Sequence, residues 1–203
     1  QKPCGTAAAV DSGMQPQMPK VDLGRPATYD DLVAVPEHLV AEIVDGELWT
    51  SPRPALRHAK AHTELATRVN AELGGRGGSG GWCILFEPEL HLGAQAVVPD
   101  LAGWRRERMP AVPDMPFATL APDWVCEVLS PSTAQLDRVK KLRIYAEHGV
   151  AHAWLVDPLA RTLEVLRLEG PHWTLIGTHA GGVTVRAEPF EAIELELGAL
   201  WGE

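Results

Sequence analysis

The chain has 203 residues, 45% hydrophobic and 22% charged, an ordinary composition for a globular protein and enough to bury a core without covalent staples. Its 18 Lys and Arg against 27 Asp and Glu give a formal net charge of −9, which argues against a tight, constitutive nucleic-acid-binding module. No apolar run is long enough for a membrane helix, and the three cysteines (Cys4, Cys83, Cys126) are too few and too scattered for a disulfide scaffold or a zinc cluster.

Residues 1–24 are rich in Gln, Pro, Ala, Gly and Met without periodicity, which predicts a disordered arm, leaving 25–203 as one domain. No basic stretch followed by an apolar core opens the chain, so no secretory leader is expected, and the free cysteines fit a reducing cytoplasm. "ATYDDLVAVP" predicts a short helix capped by Thr28 and stopped before Pro36. "LVAEIVDGELWTS" predicts two strands joined at Asp45-Gly46, a strong hairpin signal. From Pro54 onward, Leu56, Ala59, Leu65, Ala66, Val69 and Leu73 fall near helical spacing, and Gly74-Gly75 ends that helix. The glycine-rich 74–81 stretch lacks the Gly-Lys-Ser/Thr ending of a phosphate loop and reads as a connector.

"WCILFEPELHLG" and "AVVPDLAGWRR" read as strands turning near Gly93, and "DWVCEVLSPST" as a short apolar strand ending in a helix-capping cluster. The following helix places Leu136, Val139, Leu142 and Ala146 on one face, with Gly149 as its C-cap. "AHAWLVDP", "TLEVLRLEG", "HWTLIGTHA" and "GVTVRAEPF" predict further strands. The order implies an α/β or α+β domain around one mixed sheet. Of the seven tryptophans, Trp82, Trp104, Trp124, Trp154 and Trp173 fall on predicted strands, where core packing accounts for them.

Two carboxylates interrupt apolar strands: Asp100 in "VVPDLAGW" and Glu127 in "DWVCEVLS". An ionised carboxylate in such a setting costs several kcal/mol, at roughly full desolvation, unless paired or bound to a metal. If neighbouring strands bring both to one point, they and the Val128 carbonyl could hold Mg²⁺, with Mn²⁺ as an alternative. Lys141, on the next helix, is placed to assist by positioning water or offsetting charge. The structural alternatives are that Asp100 caps a turn, that Glu127 pairs with an arginine, and that Asp137 and Lys141 form an exposed i,i+4 pair.

The runs "VPDLAGW", "DWVCEVLSPST" and "DRVKKLRIYAEHGVAHAWLVDP" together resemble the PD-(D/E)xK nuclease superfamily. More closely, Pro26 to Leu200 resembles the Uma-two family of restriction-endonuclease-like proteins, whose amino-terminal pattern "EIVDGEL" and "SPRPALRH" also matches. The resemblance implies a core mixed sheet flanked by helices, with an added N-terminal hairpin and C-terminal antiparallel strands. It further implies a divalent metal, phosphodiester hydrolysis and a nucleic-acid partner, DNA first. Asp100 matches the family's Pro-Asp aspartate and Glu127 its second acid. The superfamily's lysine stands two residues after that acid, where this chain has Leu129, and Lys141 matches a lysine moved to the helix, with Lys140 as a lesser candidate.

Glu42, His58 and Tyr145 also match family positions, as accessory residues. His58 and His62 form an i,i+4 pair with zinc-binding spacing, but no third ligand is visible beside them. Arg105, Arg106 and Arg108 make the densest basic cluster, placed by sequence to meet phosphates. Three functions fit: a metal-dependent endonuclease, a non-catalytic interaction module retaining the fold, or a hydrolase of a small phosphate ester. Nucleases of this fold often dimerise, so a homodimer is an open expectation.

Overall fold

The computed structural model describes residues 19–52, 55–74 and 81–202. Most of the expected N-terminal arm and residues 75–80 of the glycine-rich connector lie outside them. The chain runs β1 (Lys20–Val21), α1 (Tyr29–Val33), β2 (Leu39–Val44), β3 (Glu47–Pro52), α2 (Leu56–Val69), β4 (Trp82–Phe86), β5 (Leu90–Leu92), β6 (Gln95–Val97), β7 (Leu101–Arg105) and β8 (Trp124–Val128). It continues through α3 (Leu142–Glu147), β9 (His152–Asp157), β10 (Thr162–Glu169), β11 (His172–Ala180), β12 (Thr184–Val185), β13 (Leu195–Glu196) and α4 (Gly198–Trp201). A π-helical turn, Asn70–Gly74, extends α2, and another, Leu136–Lys141, leads into α3.

The mixed sheet has the order β11-β10-β9-β8-β7-β4, antiparallel except for the β8–β9 pair, whose crossover carries α3. The added hairpin is β2–β3, and it recruits β1, β6 and β5 into a second, antiparallel sheet of order β1-β3-β2-β6-β5. Local chemistry explains the turns. Asp45 (φ 56°) and Gly46 (φ 72°) both take left-handed backbone, the requirement of a type I′ hairpin. α1 has a capping box, with Asp31 and Thr28 each satisfying the other's backbone N–H. α3 closes on Gly149 (φ 73°), where the Val150 N–H reaches the Tyr145 carbonyl and the Gly149 N–H that of Ala146, a Schellman motif.

The mixed sheet is covered on both faces. On one, Trp124, Cys126 and Val128 of β8 pack with Ala61, Leu65 and Val69 of α2, the ring of Phe190 meeting Trp82, Trp124 and Trp154 edge-on. On the other, Val125 and Leu129 pack with Ile144 and Tyr145 of α3. β8 thus has no solvent face, which is why it reads as a continuous apolar run broken only by Glu127.

Four sequence expectations need correction. "AVVPDLAGWRR" is two strands in different sheets, β6 and β7, because Pro99 cannot donate to a ladder and the chain crosses between sheets at Val98–Asp100. Asp100 therefore stands at a junction rather than in mid-strand. The helix after β8 buries Asp137, Lys141, Ile144 and Tyr145, while Val139 is 63% exposed, since the π-helical turn shifts which side chains face the sheet. Leu56, at the open start of α2, is 89% exposed. "GVTVRAEPF" contributes only the two-residue β12.

Candidate active site

β7 and β8 pair antiparallel with Leu101 opposite Cys126, so the next register position sets Asp100 opposite Glu127. Asp100 is locked in place by the Val128 N–H, which donates to its Oδ2 at 2.7 Å. Both acids line a cavity of about 360 Å³ at this end of the mixed sheet, together with Glu42, His58, Asp137 and Lys141.

Lys141 is the hub of the buried half. Its ammonium lies 3.0 Å from Glu127 Oε1, 3.1 Å from Glu42 Oε1 and 3.6 Å from Asp137 Oδ1, and donates to the Val98 carbonyl at 2.9 Å. Glu42 also accepts the Val98 N–H at 2.7 Å, which ties the second sheet to the junction. The Tyr145 hydroxyl donates to Glu127 Oε1 at 2.5 Å. Glu42, Glu127, Asp137 and Lys141 are each under 5% exposed. Three carboxyl groups share one lysine, so full ionisation would leave the cluster with excess negative charge.

The ionisation of these groups reflects that excess. Burial drives the Glu127 carboxyl well above its ordinary range; Lys141 opposes the rise, and the charges of Asp137, Asp100 and Glu42 reinforce it. Asp137 is pushed up to about 6 by burial, Lys141 again opposing and Glu42 and Asp100 adding to it. Burial would lower Lys141, but Glu127, Glu42 and Asp137 carry it well above its usual value and keep it charged. Burial, then the neighbouring Glu127 charge, keeps the Tyr145 hydroxyl protonated and hence a donor.

Asp100 belongs to the other half. Burial acts to raise it, yet the hydrogen bond and charge of His58, with His62 and the Val128 N–H, hold it below the ordinary carboxylate value. His58 Nε2 lies 3.3 Å from Asp100 Oδ1. Burial opposes protonation of His58, but Asp100 and the Val128 backbone raise its pKa.

The structure thus brings together Asp100, Glu127, Val128, Lys141, Glu42, His58 and Tyr145. It leaves others apart. Lys140 points to the hairpin, 3.0 Å from Glu47 and over the Trp49 ring. Arg105 closes the far end of β7, roughly 17 Å along the strand from Asp100, and packs over Trp82. Arg106 donates to the Gly74 and Trp82 carbonyls, and Arg108 pairs with Asp123. Two residues escaped the sequence reading. Asp137 is buried at the cluster rather than paired on the surface; its i,i+4 spacing to Lys141 was the available signal. Glu87 lines the cavity from left-handed backbone (φ 42°), which nothing in the sequence announces.

The donor set fits a divalent cation: hard carboxylate oxygens converge on a cavity and outnumber the one ammonium among them. Among the described residues, no helix is long and apolar enough to cross a membrane.

The fold has a solved counterpart. The chain is similar, at 22% identity and a TM-score of 0.68, to a crystal structure from Anabaena variabilis described as "a putative nuclease belonging to DUF820", over 87% of this chain and 98% of that one. No curated protein matches the sequence. The junction aspartate, the β8 glutamate and the helix lysine all fall within residues 26–199, which match the family described as "Putative restriction endonuclease", and the chain belongs to that family, Uma2.

Proposed function

We propose that this protein is a metal-dependent endonuclease hydrolysing phosphodiester bonds of nucleic acid, with DNA the leading substrate. The observation that carries the reading is the convergence of Asp100 and Glu127 at the paired ends of β7 and β8, with Lys141 on Glu127 from the adjoining helix. Asp100, Glu127 and the Val128 carbonyl would hold Mg²⁺ or Mn²⁺, which supplies an acidified water and neutralises charge developing at phosphorus.

The chain's own groups do the rest. Tyr145 and Lys141 fix the Glu127 carboxylate, so its orientation is set before substrate arrives. Lys141, held charged, also presents a cation beside the scissile phosphate. His58, at the cavity wall, offers a ring N–H to a phosphate oxygen. A second reading, hydrolysis of a small phosphate ester, draws support from the net charge of −9, which repels a long polyanion.

The test is cleavage of supercoiled plasmid, single-stranded DNA, RNA and a nucleotide ester, with Mg²⁺ or Mn²⁺ and with chelator. Metal-dependent strand scission by the wild type, abolished in Asp100→Asn and Glu127→Gln, is expected. Turnover of the ester alone would select the second reading. No turnover of any substrate would overturn both.

A further inference from the structure

Beside Lys141 and the carboxylates, His58 also lines the cavity, and His62 lies one turn on along α2. His58 and His62, four residues apart on α2, and Asp100 each offer a ligand atom, all within 4.8 Å of one another. The tautomer of His62 follows from its partner. Its Nε2 lies 2.9 Å from the Asp100 backbone carbonyl, which can only accept, so Nε2 carries the proton and the neutral ring's lone pair is on Nδ1. That Nδ1 faces Asp100 Oδ1 at 3.8 Å and Glu87 Oε1 at 4.0 Å. In the neutral ring that Nδ1 is an acceptor beside both carboxylates.

The surroundings fix that geometry. A ring N–H donated to a backbone carbonyl is the outer contact that metal-bound histidines make. The Phe86 ring stacks on His62, 4.4 Å away and 10° from parallel, and holds its plane. The same Asp100 carbonyl accepts the Glu87 N–H at 3.0 Å, tying in the left-handed Glu87 backbone. Such strain in a non-glycine residue concentrates at functional sites. His58 Nε2 approaches Asp100 Oδ1 at 3.3 Å, and its Nδ1 is buried without a hydrogen-bond partner.

We infer that His58, His62 and Asp100, with Glu87 at the edge of the group, form a mixed nitrogen–oxygen site for a borderline first-row ion of the Mn²⁺, Co²⁺ or Zn²⁺ class. Imidazole ligands favour such ions, whereas Mg²⁺ prefers an all-oxygen shell. The inference shares with the proposed function the reading of Asp100 as a ligand, and it gives His58 to the ion in place of a phosphate contact. His62 is its distinctive member, and its polar contacts among the described residues are to Asp100 and Glu87 rather than to the carboxylates around Lys141.

The experiment is a Co²⁺ titration of the intact protein followed by its visible absorption, with excess Mg²⁺ present. The wild type is expected to bind Co²⁺ with bands distinct from the aqueous ion. His62→Gln should weaken that binding by about 10–100-fold, while Glu127→Gln keeps both the bands and the affinity. His58→Gln, at a less buried position, provides a second variant should His62→Gln not fold, with the same loss expected. An aqueous-ion spectrum for the wild type, or unchanged Co²⁺ affinity in the folded histidine variants, overturns the site. Failure of nucleic-acid cleavage with the Co²⁺ result intact removes the proposed function and leaves this site standing; the reverse pattern does the opposite.

Discussion

Lys141 Nζ lies 3.0 Å from Glu127 Oε1 although the lysine follows the acid by fourteen residues. In the superfamily pattern that the sequence resembles, the lysine stands two residues after the acid. Here that position is Leu129, buried in the core on the α3 side of the mixed sheet. The crossover from β8 to β9 lays a helix on that face and directs Lys141 back to the strand end it has just left. The π-helical turn puts Asp137 and Lys141 together on the buried side.

Replacing Lys141 with Met should be severe, because it leaves Glu42, Glu127 and Asp137 buried without a counter-charge. Breaking a buried pair by removing one partner costs about 3–5 kcal/mol. Glu127 and Asp137 can escape part of that cost by taking protons, so the loss should be smaller at pH 5 than at pH 8. Urea unfolding of the variant at both pH values measures it, and an equal loss at both would show that the acids do not share the lysine's charge.

Stability of the metal-free wild type should itself fall as pH rises from 3.8 to about 6 through the contribution of Asp137. Its folded pKa is raised, so over this window the unfolded chain has released its proton while the folded protein keeps it. Glu127, raised as well by burial, contributes with the same sign. Asp100 has the opposite sign: its depressed pKa gives a contribution present above 3.8 and lost as pH falls through the folded value. Asp137→Asn should flatten the slope of the urea midpoint between pH 4 and 6, and an unchanged slope would place its titration elsewhere.

Tyr145→Phe removes a hydroxyl that the fully buried Glu127 accepts at 2.5 Å. Leaving a buried acceptor short of a donor costs roughly 1–3 kcal/mol. Under the proposed function Tyr145 orients a ligand without touching substrate, so the variant should lose kcat with little change in KM. The apparent metal affinity should weaken in parallel. A stability loss with unaltered metal affinity and kcat would leave Tyr145 a packing residue only.

Much of this was legible in the chain itself. The Asp45-Gly46 hairpin, the Gly149 cap and the strand tryptophans follow from rules acting over a few residues, and each stands where expected. Asp100 and Glu127 were visible because a carboxylate in an apolar run is costly enough to demand a reason. What the sequence hid is set by tertiary geometry. The third ligand beside His58 and His62 is 38 residues beyond His62 in the chain, brought there by the strand junction. Asp137 looked like a surface residue because its spacing to Lys141 is the same whether the pair is exposed or buried. The arginine cluster follows Asp100 closely in sequence, yet an extended strand carries it away at about 3.3 Å per residue.

Gly103 connects the packing of β7 to the position of Asp100 at its start. A Cβ there would lie 2.8 Å from Ile84 Cδ1, 3.2 Å from Trp124 Cε3 and 3.3 Å from Trp82 Cε3. The tryptophans are buried and cannot turn aside, so β7 or Ile84 must give way. Overpacking of this kind costs about 1–3 kcal/mol. Gly103→Ala should therefore lower the urea midpoint with an unchanged m-value, and displacement of β7 should weaken any metal bound through Asp100. Ile84→Val deletes the Cδ1 methyl, the nearest contact, and should recover much of the lost stability when combined with Gly103→Ala. Strict additivity of the two substitutions would show that the clash at Ile84 is not the cause.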